Sequence, residues 1–164
     1  MIFLKPDTAV LSRPQPFIIP DFSQDIHHEI ELVVKINKMG KYIEPEFSYK
    51  YYDEITVGID FTARDVQQRL KEKGLPWEKA KAFDGSAIIG DFIPKNSLDS
   101  LENIKFELTN NQNIVQEGNT NLMIWSIDEL IEHVSQYFTL KKGDIIFTGT
   151  PKGVAKVAPN DVLE

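Results

Sequence analysis

A β-rich α+β fold with two or three helices is what this sequence predicts, on three observations. Segments rich in β-branched residues are short and set off by turn residues. Only two stretches combine helical spacing with recognisable ends. Strands and helices do not alternate in the regular βαβ manner of a parallel sheet.

Residues 1–24 set Pro6, Pro14, Pro16 and Pro20 between short apolar pieces, a pattern of brief edge strands and turns. IELVVKI, Ile30 to Ile36, reads as a strand, and Asn37 and Gly40 can turn it into a hairpin with the KYI that follows. PEFSYKYYDE fits a short helix, and the run from Ile55 to Phe61 is another apolar strand. Thr62 is placed to cap a helix through ARDVQQRLKEK, which Gly74 and Pro76 would stop. In SIDELIEHVSQYF, Ser126 and Glu129 form a capping box, while Ile127, Leu130, Ile131 and Val134 repeat at helical spacing. LKKGDIIFTGTPKGV then gives a turn at Lys142 to Asp144, a short buried strand, and a Gly- and Pro-rich loop.

The 164 residues, 41% hydrophobic and 26% charged, are those of one ordinary globular domain. A net charge of -7 without a Lys/Arg cluster argues against a nucleic-acid partner, whose binding rests on phosphate neutralisation. Cysteine is absent, so disulfides, thiolate metal sites and a cysteine nucleophile are excluded, and any metal needs O or N ligands. No apolar run approaches a membrane span of about 18 residues and MIFLKPDT does not resemble a signal peptide, so no membrane association and a cytoplasmic location are expected.

HHEIELVV places Glu29 and Glu31 either side of Ile30. Strand side chains alternate faces, so the two carboxylates can converge while Ile30 enters the opposite layer. Buried together without partners they would be costly, so solvent, a basic partner or a cation must compensate them. Glu at alternate positions is also what a solvated strand face shows. Asp60, near the end of the next apolar strand and separated from TARD by Phe61, adds a third acid at a junction where function is often built. Three carboxylates would form a hard, oxygen-rich site suited to Mg²⁺ or Mn²⁺, with water or substrate completing the octahedron.

FLKPDTA, HHEIELVV, GIDFTARDVQ, GLPWEKAKAFD, QEGNTNLMIWSIDELIEHVS and LKKGDIIFTGTPKGV occur in that order, and together they resemble the fumarylacetoacetate hydrolase family, nearest its acylpyruvate hydrolase and oxaloacetate decarboxylase branch. The resemblance spans residues 2–161. It implies a fold of rolled, mixed β-sheets, a homodimer, and a divalent metal held by Glu29, Glu31 and Asp60. That metal would be Mg²⁺, with Mn²⁺ or Ca²⁺ as substitutes, and it would chelate a small 2-oxo acid or β-dicarbonyl substrate. Lewis-acid polarisation of a carbonyl and stabilisation of enolate charge suit cleavage of a C–C bond.

Lys81 in EKAKAFD matches the family's active-site lysine, although taken alone it reads as a solvated helix-end residue like Lys79. Arg64 and Gln67 share a helix face and match substrate-contacting positions, with Arg64 equally able to pair with Asp60, Asp65 or another acid. The loop Thr148 to Pro151 resembles the family's substrate loop, where Thr150 would offer hydroxyl and backbone donors to a carboxylate; it lacks the P-loop spacing. Lys5 is a weaker site candidate, and His28 reads as a packed residue behind the ligands.

Members of this branch carry an upstream histidine motif associated with water activation, and further strands downstream. His27, His28 and His133 do not match that motif, and the expectation is a single domain, residues 1–164, incomplete at both ends. Hydrolysis of acylpyruvate- or fumarylacetoacetate-like 2,4-dioxo acids is the leading expectation. Oxaloacetate decarboxylation, isomerisation of a 2-hydroxy-dienoate, and a noncatalytic metal-binding or structural role are the alternatives.

Overall fold

The computed structural model describes residues 1–12 and 14–164; Arg13, within the segment expected to form edge strands, lies outside the described residues. In chain order the elements are β1 Ile26–His28, β2 Ile30–Ile36, α1 Pro45–Ser48, β3 Tyr52–Asp60, β4 Thr62–Ala63, α2 Arg64–Glu72, α3 Glu78–Lys81, β5 Ala87–Ile89, β6 Ile93–Pro94, β7 Lys105–Asn110, β8 Asn113–Asn119, α4 Ile127–Tyr137, β9 Ile145–Phe147 and β10 Ala155–Lys156. The fold is β-rich α+β, as expected; α1 and α3 are single turns, and α2 and α4 are the two helices with full sequence signatures.

The main sheet runs β5-β3-β2-β9, with β6 also pairing β3; β10-β1-β4 and β7-β8 form smaller sheets. These ladders are antiparallel, and an isolated bridge between Val10 and Ala87 is parallel. β2 lies inside the main sheet, and its residues from Ile30 to Val34 are buried on both faces. Leu32, Val34 and Ile36 pack with Ile55, Ile127 and Ile131 in one core. Ile30, on the same strand face, joins Ile26, Ile59, Phe61 and Leu108 in a second.

Three local expectations change. The partner of β2 is β3, not the KYI segment: Ile30 pairs Ile59 and Val34 pairs Ile55. Residues 37–51 make a longer connection in which Gly40 bridges Leu140 and Tyr42 takes φ 50°, which breaks any strand there. Thr62 does not cap α2. It lies in β4, the N-cap position is Ala63 without a side-chain bond, and the Thr62 hydroxyl turns inward to the acids instead. Among the described residues of the proline-rich start, the regular element is a single 3₁₀ turn, Asp7–Ala9, with Val10 bridging Ala87. The capping box on α4 is present with both reciprocal bonds, and Gly74 ends α2 at φ 63°.

Candidate active site

Antiparallel register assembles the acids. Because Ile30 pairs Ile59, Asp60 comes opposite Glu29 and donates its N–H to the Glu29 carbonyl at 2.9 Å, while Glu31 stands opposite Gly58. A side chain at Gly58 would run into the Ile88 carbonyl, 2.6 Å from the Cβ position, so glycine permits the close approach of strands beside Glu31. The result is a group in which one oxygen from each of Glu29, Glu31 and Asp60 lies within 4.8 Å of the others. All three side chains are buried, Asp60 completely, which rules out the solvated-face reading.

Three cations surround them. The Lys81 ammonium, 3% exposed at the end of α3, donates to Glu29 Oε2 at 2.8 Å, Asp60 Oδ2 at 2.6 Å and Thr62 Oγ1 at 2.6 Å, so its three protons are engaged. Thr62 passes its own hydroxyl proton to Glu29 Oε1 at 2.9 Å. Arg64 donates to the same Glu29 oxygen at 2.8 Å and to Gln67 Oε1 at 2.7 Å, which decides its pairing in favour of Glu29. Asp65 turns away to Ser23, 2.6 Å from its hydroxyl.

Lys5 is the third cation. Its ammonium lies 2.7 Å from Asp60 Oδ1, donates to the Lys81 carbonyl, and reaches Ser86 Oγ at 2.8 Å. Toward Asp60 the contact is an ion pair, so Asp60 meets Lys5 through Oδ1 and Lys81 through Oδ2. Burial holds Lys5 below the ordinary lysine range, against the opposing pull of Asp60.

Glu31 is the least compensated acid. Its one hydrogen bond among the described residues comes from Gly149 N–H, at 2.6 Å, and Gly149 takes φ 107°, a conformation that favours glycine. Burial, then the charge of Asp60, pushes the Glu31 carboxyl up to about 8. A divalent cation fits this donor set: three converging buried carboxylates that offer all-oxygen ligands, one of which, Glu31, is driven toward neutrality by burial and by the charge of Asp60.

The structure therefore brings together Glu29, Glu31, Asp60, Lys81, Arg64 and Gln67. Thr150 is nearby on the loop after β9, but its hydroxyl donates to the Ile30 carbonyl at 2.8 Å and accepts from Gln116 at 3.0 Å, so its side-chain proton is already used within the protein. Sequence reasoning ranked Lys5 low and gave Thr62 another role. It did not identify the Gly149 N–H or Ser86. The signal for Thr62 was its place two residues after Asp60, on the same side of an extended chain; no local pattern marks the others.

A family model described as fumarylacetoacetate (FAA) hydrolase C-terminal matches residues 1–164. The mitochondrial oxaloacetate tautomerase of Bos taurus is 41% identical over 164 residues, covering 100% of this chain and 74% of that protein. The mitochondrial oxaloacetate decarboxylase of Dictyostelium discoideum is 40% identical over 163 residues, covering 99% of this chain and 75% of that protein. The crystal structure of fumarylpyruvate hydrolase from Pseudomonas aeruginosa in complex with Mn²⁺ and pyruvate shares the fold, with a TM-score of 0.92 and 35% identity over 98% of this chain and 71% of that one. All three relatives are enzymes by name, and the third holds a divalent metal together with a 2-oxo acid. Sequence match along the whole chain and a common fold agree: the chain belongs to the fumarylacetoacetate hydrolase family.

Proposed function

We propose that this protein is a metal-dependent enzyme acting on a small 2-oxo acid, with enol–keto interconversion or decarboxylation of an oxaloacetate-like substrate ahead of C–C hydrolysis. The observation that carries this reading is the buried Glu29–Glu31–Asp60 group ringed by Lys5, Lys81 and Arg64. A divalent ion, Mg²⁺ first with Mn²⁺ or Ca²⁺ as alternatives, would be held by the three carboxylates and would supply Lewis acidity toward adjacent substrate oxygens.

The chain's own residues supply the field and the shape. Lys81 and Lys5 hold their ammonium groups beside the acids at preset positions, so negative charge developing on an enolate oxygen meets a preorganised environment. Arg64, with its side chain 32% exposed, has guanidinium surface left for a substrate carboxylate, and Gln67 holds its orientation. The Thr148 to Pro151 loop stands beside Glu31 and presents backbone rather than the Thr150 hydroxyl as donor.

Hydrolysis ranks second because the chain is 41% and 40% identical to an oxaloacetate tautomerase and an oxaloacetate decarboxylase, against 35% for the fumarylpyruvate hydrolase. His28 bonds Gln116, His27 bonds Asp25, and His133 packs edge-on against Trp125 and Tyr137. The similarity to fumarylpyruvate hydrolase keeps that second reading in view. A homodimer and a cytoplasmic location belong to the same proposal; the cattle relative is mitochondrial. Sedimentation at monomer mass alone would refute the dimer.

The test is purified protein with Mg²⁺, followed in parallel for enol absorbance of oxaloacetate, pyruvate release, and loss of acetylpyruvate. Acceleration of the first two, absent in Glu31→Ala, is expected. Loss of acetylpyruvate alone replaces the leading reading with hydrolysis, and no response in any of the three overturns both.

A further inference from the structure

Gln116, on β8, is 2% exposed, and every position of its amide is occupied. Oε1 accepts the Ile30 backbone N–H at 3.1 Å and lies 2.8 Å from His28 Nδ1. Nε2 donates to Thr150 Oγ1 at 3.0 Å and to the Pro151 carbonyl at 3.2 Å. Chemistry fixes the orientation of this amide, because a backbone N–H only donates and a carbonyl only accepts. His28, facing an oxygen, therefore carries its proton on Nδ1.

Thr150 completes the circuit by donating its hydroxyl to the Ile30 carbonyl. One side chain thus ties the residue between the two glutamates to two successive residues of the loop, without touching a carboxylate. The chain beyond the loop runs directly over it: a Cβ on Gly153 would sit 2.7 Å from the Val115 carbonyl and 3.3 Å from Gln116 Cγ. Gln116 belongs to a two-stranded ladder with β7, where it faces Leu108, so it reaches the site from a separate sheet.

We infer that Gln116 is a positioning residue that fixes the Thr148 to Pro151 loop at a set distance from the metal-binding strand, and through it the reach of the loop toward a metal-bound 2-oxo acid. The substrate half of this inference rests on the function proposed above. The fixing of the loop does not. An apolar side chain of the same length would leave the Ile30 N–H and the Pro151 carbonyl without partners and release the loop from its register with Glu31.

The experiment compares Gln116→Met with wild type and with Leu108→Ala, a core truncation in the same ladder. Backbone amide exchange over residues 148–151, Mn²⁺ affinity, and pyruvate binding to the Mn²⁺-loaded protein are measured. In Gln116→Met, loop exchange should rise about tenfold or more. Mn²⁺ affinity should stay within about threefold of wild type, while pyruvate binding weakens about tenfold or more. Leu108→Ala should leave loop exchange near the wild-type rate.

Unchanged loop exchange in Gln116→Met overturns the inference, as does equal loosening in Leu108→Ala, or a loss of Mn²⁺ affinity as large as that of pyruvate. If wild type with Mn²⁺ does not bind pyruvate, the functional proposal falls and the exchange comparison still decides the positioning role. Should the Met variant not fold, Gln116→Glu retains the acceptor for Ile30 and removes both donors to the loop, giving the same comparison.

Discussion

Replacing Glu31 by glutamine should remove a specific pH dependence from the metal-free protein. Burial and the neighbouring Asp60 raise the Glu31 carboxyl from 4.5 to about 8. The folded state therefore binds this proton more tightly than the unfolded chain does, so the associated stability is full below pH 4.5 and is lost as pH rises to about 8. Across the whole interval the loss is on the order of 5 kcal/mol, and between pH 6 and pH 8 it is about 3 kcal/mol. For a chain of this size that corresponds to a fall of roughly 6 to 12 °C in midpoint.

Glutamine keeps an acceptor for the Gly149 N–H but cannot ionise, so Glu31→Gln should lack this component. Thermal unfolding in EDTA at pH 6 and pH 8 measures the difference. Added Mg²⁺ should reverse the wild-type loss, because binding requires the ionised carboxyl, and its apparent affinity should climb roughly tenfold per pH unit until about pH 8. Parallel wild-type and Glu31→Gln stability curves in EDTA would refute the account of Glu31 as an under-compensated buried acid.

Asp60→Asn should abolish specific Mg²⁺ binding by calorimetry and destabilise the protein by about 3 kcal/mol or more, since it leaves the ammonium groups of Lys5 and Lys81 short of a buried counter-charge. Retained affinity would remove Asp60 from the ligand set. Ser126→Ala, which deletes the hydroxyl half of the α4 capping box and leaves the Ser126 N–H bonded to Glu129, should cost about 1 kcal/mol in chemical unfolding and leave Mg²⁺ affinity unchanged. A loss of affinity there would show that α4 bears on the site.

What the sequence exposed was what local spacing encodes. Glu29 and Glu31 at alternate strand positions pointed to one site because strand periodicity is a short-range property, whereas Asp60 joined them through its place ahead of TARD and the family resemblance, since the register that sets it opposite Glu29 is not local. The α4 cap was visible for the same reason, its partners lying three residues apart. The β2 hairpin was misread because Asn37 and Gly40 carry turn chemistry, whereas the true partner is selected by burial on both strand faces. Thr62 illustrates a real ambiguity: a small hydroxyl residue between a strand and a helix is equally suited to capping a helix or to binding inward, and two buried groups, Glu29 and Lys81, decided the matter. Lys5 was hidden because its acceptor on Lys81 lies 76 residues away.

Those long separations have a consequence for how the protein comes into being. The acids gain Lys5 and Lys81 only when residues far apart in sequence have met, and Glu31 receives Gly149 across 118 residues. Such contacts must overcome large loop-closure entropy before they reward the chain, which places this protein among slow-folding topologies. During synthesis, Glu29, Glu31 and Asp60 emerge long before Gly149, so the hydrogen bond that Glu31 accepts can form only after the loop beyond β9 has been made.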